Sequence, residues 1–250
     1  MIHPVDDFDL DQFLSVAAGF GKKRLGYVVT PNADHLIRLH DDGDFRNYYR
    51  HANYVLMDSR FCANLVRLLR GVRLPVCTGA DLTRKLLADI VTPQDPIVII
   101  GGSKRAAETI AAKLGLRSVV HFDPPMGFIR DPMATEQCLE FIEEASPFRF
   151  CFLAVGSPQQ EQLAYQLQKR GNARGLVLCV GASLNFLSGL ERRAPAWMQR
   201  ASLEWFYRLY NNPGRLAYRY LVRGPRIFAH LLRTRFVLRT AVPEAPLNIE

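Results

Sequence analysis

The chain has 250 residues and a formal net charge of +8, with 48% apolar and 22% charged residues. That wealth of Leu, Val, Ile and Phe excludes a disordered chain. No run approaches the ~18 uninterrupted apolar residues of a membrane-spanning helix. The length suits one large domain or two small ones, ample for a sizeable core. The first residues are acidic (Asp6, Asp7, Asp9, Asp11) and show no charged-then-apolar leader. Five cysteines and six histidines form neither a C-x-x-C pair nor a zinc-type cluster. Cys77, Cys151 and Cys179 lie in apolar runs, which predicts buried thiols in a reduced, cytosolic compartment.

In chain order, apolar runs at 25–30, 54–57, 97–100, 118–122, 150–155 and 176–180 predict strands. They are mostly continuous rather than alternating, the pattern of strands buried on both faces. Helical patterning covers 34–39, 60–70, 81–90, 104–114, 133–144 and 159–170. The alternation predicts an α/β fold, a Rossmann-like, mainly parallel sheet flanked by helices. No internal repeat or low-complexity tract interrupts it. Beyond 195 the pattern changes. Residues 196–239 read as helices broken at Asn211-Asn212-Pro213-Gly214 and near Gly224-Pro225. The expected division is an α/β domain over 1–195 and an arginine-rich helical appendage over 196–250. The last ten residues, with Pro243 and Pro246, read as a loose end.

The charge follows that division. Residues 1–191 hold 21 basic and 21 acidic side chains, whereas 192–250 hold 11 arginines, no lysine and three glutamates. A neutral body with a basic tail suits an anionic partner: a membrane surface, a nucleic acid or an acidic protein. On a helical wheel Arg215, Arg219, Arg223, Arg226 and Arg233 share one face. Tyr218, Val222, Ile227, Phe228, Leu231, Leu232, Phe236 and Val237 supply apolar surface beside it. Such a helix either lies on anionic lipid or packs its apolar stripe on the body and leaves its arginines in solvent.

Several predicted strands end in polar or glycine-bearing loops: Thr30-Pro31-Asn32, Asp58-Ser59, Gly101-Gly102-Ser103, Gly156-Ser157-Pro158 and Gly181-Ala182-Ser183. In open α/β sheets the ligand crevice lies at the carboxyl ends of the strands, so these loops are expected to meet. Gly102 and Ser103 either cradle phosphate at a helix start or form a glycine turn with a serine cap. Asp58 is either a carboxylate facing the crevice or the cap of the next helix. Thr30 and Asn32 either offer a hydroxyl and an amide to a ligand or build a turn and cap. Gln160 and Glu161 either contact a ligand or occupy a helix first turn where both types are favoured. The acidic triplets Asp9-Leu10-Asp11 and Asp42-Gly43-Asp44 follow no buried strand, so they read as an acidic N-terminal segment and a turn rather than a metal site.

The loops also occur in a particular order. Thr30-Pro31-Asn32-Ala33-Asp34-His35-Leu36 is followed by Asp58, Thr78-Gly79-Ala80-Asp81-Leu82, Gly101-Gly102-Ser103 and Pro125-Met126-Gly127-Phe128. Next come Gly156-Ser157-Pro158-Gln159-Gln160-Glu161 and Gly181-Ala182-Ser183-Leu184-Asn185-Phe186. Arg192-Arg193-Ala194-Pro195-Ala196-Trp197 and Leu203-Glu204-Trp205-Phe206-Tyr207-Arg208-Leu209 complete the series. This order, over roughly residues 24–225, resembles the WecG/TagA/CpsF family of bacterial glycosyltransferases (glycosyltransferase family 26).

The resemblance implies a catalytic α/β body and an appendage that meets the membrane. It implies an inverting, metal-independent transfer of a hexose or N-acetylhexosamine from a UDP-sugar to a polyprenyl-diphosphate-linked sugar. The work would take place at the cytoplasmic face of the bacterial inner membrane, in cell-surface polysaccharide synthesis, with no cofactor. Asp58 matches the family's proposed base, and Thr30 and Asn32 match its acceptor-site pair. Gln160, with Glu161 beside it, matches the nucleotide-sugar site, to which Gly102, Ser103, Gly181 and Arg193 are added as phosphate-side candidates. Arg208, Arg215, Arg219, Arg223 and Arg226 are the candidates for membrane or lipid-diphosphate contact. The chain departs from the family in two places. Ser59-Arg60-Phe61 replaces a glycine-rich stretch after Asp58, and Val76 stands where an arginine commonly precedes T-G-x-D-L, with Arg73 or Arg84 as stand-ins. The Asp58-Ser59-Arg60 run and the arginine-rich, aromatic tail are similar to those of exopolysaccharide members. Two other classes compete: a nucleic-acid-binding α/β protein using the basic tail, and an NAD(P)-dependent enzyme. The first leaves the loop series unexplained, and the second lacks G-x-G-x-x-G.

Overall fold

A short strand, β1 (Ile2–Asp6), and helix α1 (Leu10–Gly19) precede the central sheet. The computed structural model describes residues 2–240; the side chains of Ile2 and Arg215 and all of 241–250, including the expected loose end, lie outside the described residues. Six strands follow: β2 (Leu25–Val29), β3 (Tyr54–Val55), β4 (Ile97–Ile100), β5 (Val119–Phe122), β6 (Phe150–Leu153) and β7 (Gly175–Cys179). They form one parallel sheet in the order β3-β2-β7-β6-β4-β5.

The interior strands are continuous apolar runs because both faces are covered. Alternate side chains divide between two cores. Tyr27, Val29, Val98, Ile100, Cys151, Leu153, Val177 and Cys179 join one. Against them pack α2 (Ala33–Asp41), α3 (Gly43–Arg50), α4 (Arg60–Arg70), α7 (Pro132–Glu144) and α8 (Gln159–Arg170). Val28, Ile97, Ile99, Phe150, Phe152, Leu176 and Leu178 join the other, under α1, α5 (Gly79–Lys85), α6 (Lys104–Leu114) and α9 (Ser183–Ser188). Helix α5 runs on as a wide turn over Leu86–Ile90, so the single helix expected at 81–90 changes its winding midway. β5 departs from the doubly buried expectation: it is an edge strand, with Val120 41% exposed. All five cysteines are buried and free, Cys77, Cys151 and Cys179 as their apolar runs predicted.

Beyond the sheet come α10 (Ala196–Arg200), α11 (Glu204–Asn211) and α12 (Pro213–Ala217). A wide turn over Tyr218–Arg223 leads to α13 (Arg226–Arg233). The last part of the expected helical stretch is instead a strand, β8 (Arg235–Arg239), paired in parallel with β1. Its register sets His3 opposite Phe236 and Asp6 opposite Arg239. Arg239 Nε and Nη2 donate to the two oxygens of fully buried Asp6 at 2.6 and 2.7 Å, and Val55 N–H donates to Asp6 Oδ2 at 2.6 Å. Chain start, chain end and central sheet thus meet at one buried carboxylate.

Ile227, Leu231 and Phe236 are buried in the core, with α13 seated against α2 and α4, as in the alternative of an apolar stripe packed on the body. Tyr218, Leu221, Val222, Phe228 and Leu232 stay exposed. The shared arginine face also divides, because the wide turn and the bend at Gly224-Pro225 break the helical phase. No helix among the described residues is long and apolar enough to cross a membrane.

Candidate active site

The loops that follow β2, β3, β6 and β7 open onto a cavity of about 680 Å³, within the size range of small-molecule sites. Its other wall is the C-terminal segment, through Trp205, Arg208, Arg219, Tyr220 and Phe228. Of the residues singled out from sequence, Thr30, Asn32, Asp58, Gln160, Gly181, Arg193, Arg208 and Arg219 line it.

Asp58 follows β3, and the Asp58 N–H donates to the Pro31 carbonyl at 2.9 Å, locking the two loops together. The cap of α4 is Ser59, whose Oγ accepts from Cys62 N–H at 3.1 Å. Asp58 is therefore not spent on the helix start. Its Oδ1 accepts from Gly79 N–H at 2.6 Å. A Cβ at Gly79 would lie a tight 3.3 Å from Thr30 Oγ1 and at ordinary contact, 3.7 Å, from Asp58 Oδ1, so the glycine makes room for Thr30. Burial raises the Asp58 carboxyl from 3.8 to about 7, against the lowering pull of Arg208, the Gly79 hydrogen bond and Arg193. A carboxyl poised near neutral pH can accept a proton during a reaction.

Thr30 is buried and donates to the Cys179 carbonyl at 3.0 Å, tying β2 to β7. Asn32 caps α2, its Oδ1 accepting from Asp34 N–H at 3.1 Å. Arg219 Nη2 donates to the same oxygen at 3.4 Å. The buried Gln160 amide is held at both ends. Its Oε1 accepts from Gly181 N–H at 3.0 Å and its Nε2 donates to Glu161 Oε1 at 2.8 Å. Glu161 is fully buried and does not line the cavity; burial raises its carboxyl to about 7, offset in part by the Gln160 hydrogen bond. It orients Gln160 from behind.

Gly102 and Ser103 do not reach the cavity. Gly102 takes a left-handed turn (φ 72°), and Ser103 caps α6 by accepting from Ala106 N–H at 3.2 Å. The turn-and-cap alternative describes them. The acidic triplets are helix starts as well: Asp9 caps α1 and Asp42 caps α3, accepting from Gln12 and Phe45 N–H.

Arg193 is held by Asp81, with contacts of 2.6 and 3.2 Å from its two terminal nitrogens. Burial pushes Asp81 up, but the hydrogen bonds from Arg193 and Thr78 outweigh it and hold the carboxyl at about 2. Glu204 takes Arg193 Nη2 at 3.6 Å and Arg208 Nη2 at 3.2 Å. A chain of alternating charge, Asp81–Arg193–Glu204–Arg208, therefore runs from α5 to α11 along the cavity. Arg208 also lies 5.3 Å over the Phe186 ring. Arg219 and Arg223 turn inward to Asp34, at 3.5 and 3.9 Å, and Arg226 pairs with Asp41 at 2.8 and 3.0 Å. Arg223 and Arg226 do not line the cavity. Arg215 lies on α12, its side chain outside the described residues. Val76 brings no charge to the site, and neither Arg73 nor Arg84 replaces it, since neither lines the cavity.

Asp81, Glu204, Asp34 and His35 were not singled out as site residues by sequence. Buried His35 receives or donates a hydrogen bond at 3.1 Å with Tyr49 Oη, and burial, with Arg219 nearby, lowers it to about 3, so it is neutral. All four stand in the ordered blocks, which is the one signal that pointed towards them. What aims them is tertiary. The family described as Glycosyl transferase WecG/TagA/CpsF matches residues 2–241, so the match includes both the sheet and the C-terminal wall. The chain belongs to the WecG/TagA/CpsF family of glycosyltransferases, enzymes of cell-surface polysaccharide synthesis.

Proposed function

We propose that the cavity catalyses an inverting, metal-independent transfer of a hexose or N-acetylhexosamine from a UDP-sugar to a polyprenyl-diphosphate-linked sugar. The observation that carries this reading is the joint placement of Asp58 and three guanidinium groups, Arg193, Arg208 and Arg219, around one cavity. Asp58 takes the proton of the acceptor hydroxyl as that oxygen attacks the anomeric carbon. The bond from that carbon to the UDP oxygen breaks on the opposite face, and UDP leaves with the electron pair. Arg193, largely buried, and Arg208, partly exposed, are both held by Glu204 and meet the charge growing on the diphosphate. Gln160 and the Gly181 loop hold the nucleotide-sugar, and Thr30 and Asn32 orient the acceptor.

The exposed aromatic and aliphatic side chains of the C-terminal segment, among them Trp197, Phe206, Tyr210 and Val222, support docking at the cytoplasmic face of the inner membrane. Phe228, half exposed, also lines the cavity, so the lipid-facing surface and the site are continuous. The test is a transfer assay with a panel of UDP-sugars, a short-chain polyprenyl-diphosphate sugar, and EDTA. One product from one donor in EDTA is expected. Absence of product with every donor, together with no UDP binding, would overturn the reading.

A further inference from the structure

A second hollow, of about 410 Å³, lies beside the catalytic cavity between α4, the loop at 71–77 and the end of α10. Four arginines line it: Arg60 and Arg67 from α4, Arg73 from the loop, and Arg200 from α10. No aspartate or glutamate does. Arg60 is shared with the catalytic cavity and leans on Asp81 at 3.4 Å. The side chains of Arg67, Arg73 and Arg200 are exposed and make no hydrogen bond or ion pair among the described residues. Asn64 Nδ2 donates to Ser202 Oγ at 3.0 Å, which pins the chain just after α10 against α4 and keeps Arg200 at the rim. The floor includes buried Leu74.

Three unpaired cations brought from three separate elements repel one another, and a shared anion relieves that repulsion. Guanidinium forks match the oxygens of phosphate in geometry as well as in charge. We propose that this hollow is a second binding site, specific for a phosphate-type anion and separate from the nucleotide-sugar cavity. The phosphate is carried either by a soluble diphosphate or by an anionic lipid headgroup. Both present the same oxygens to the same three arginines.

The experiment compares wild type, the site variant R67Q/R73Q/R200Q and a charge-matched control, R105Q/R117Q/R130Q. The control removes the same charge from exposed arginines outside the hollow. Each protein is titrated with inorganic pyrophosphate by calorimetry, and with phosphatidylglycerol and phosphatidylcholine vesicles by flotation, at low salt. Circular dichroism confirms that all three are folded, which is expected because every replaced side chain is exposed. Loss of three cations from a phosphate-bearing surface weakens binding by about 10²-fold. The site variant is expected to show that loss while the control stays close to wild type. Loss of pyrophosphate binding assigns the site to a soluble phosphate group; loss confined to phosphatidylglycerol vesicles assigns it to lipid. If the site variant and the control match each other on both ligands, the charge is acting without a site and the proposal is overturned.

Discussion

Asp58→Asn keeps the shape of the side chain, and its amide oxygen can still accept from the Gly79 N–H that reaches Oδ1 at 2.6 Å. What the change removes is a charge held where burial disfavours it. The folded carboxyl titrates at about 7 against an ordinary 3.8. A difference of that size corresponds to about 4 kcal/mol. The side chain also borders an open cavity, and solvent screening reduces the realised amount to roughly 1–3 kcal/mol. The sign follows from proton binding. The folded state holds this proton more tightly than the unfolded state, so wild-type stability falls as pH rises from about 4 through about 7. The Asn variant lacks that loss. In urea unfolding it is expected to match wild type near pH 4 and to be the more stable protein at pH 8. Sugar transfer should meanwhile fall by about 10² or more, the contribution of a positioned base. A variant less stable than wild type at pH 8, or one that transfers sugar at the wild-type rate, would refute the reasoning.

Other expectations follow from the same geometry. Arg193→Ala removes one of the partners that hold Asp81 at about 2 and leaves Thr78 and Arg60, so part of the stability present above pH 4, roughly 1 kcal/mol after solvent screening, should disappear, along with its loss between pH 4 and 2. Urea unfolding at pH 7 reads the first effect, and the KM for donor should rise in the same variant. Arg239→Ala leaves the fully buried Asp6 carboxylate unpaired and should cost about 3–5 kcal/mol in thermal unfolding. Unchanged melting would show that the β1–β8 closure contributes nothing. Gly175 sits at φ 130°, and a Cβ there would lie 2.2 Å from the Phe148 carbonyl oxygen. Gly175→Ala should therefore cost about 4 kcal/mol or more, or prevent soluble expression. Gln160→Ala strands the buried Glu161 carboxyl and the Gly181 N–H, so it should cost about 1–3 kcal/mol in thermal unfolding and also raise the donor KM, whereas an unchanged donor KM would make Gln160 purely structural.

The central sheet was legible because its strands carry local evidence. Phe150-Cys151-Phe152-Leu153 and Ile97-Val98-Ile99-Ile100 are apolar on both faces, which suits only a doubly covered strand. The pair β1–β8 carries no such evidence. The first residues read as an acidic segment and residues 235–239 as the end of a helical stretch, and the paired residues lie more than 200 positions apart in sequence. Helix α3 was missed for a related reason: Gly43-Asp44 reads as a turn, and Phe45 and Tyr49 show their helical spacing only after Asp42 is known to cap them. In the site, the strand-end loops brought Thr30, Asn32, Asp58, Gln160 and Gly181 together as the crevice rule predicts. The arginines were legible as charge but not as direction. Nothing local says that Arg219 turns to Asp34 or that Arg226 turns to Asp41, because those choices depend on how α13 seats on α2. Gly102 and Ser103 show the opposite limit, since a phosphate loop and a capped turn share one local sequence.

The proposed role of Asp58 as proton acceptor is tested most directly by the pH dependence of kcat/KM for sugar transfer. With the donor that yields product, the expected profile has an acid limb that falls about tenfold per pH unit below pH about 7 and a plateau above it. A flat profile from about pH 5.5 to 8.5, with the protein folded throughout, would contradict it.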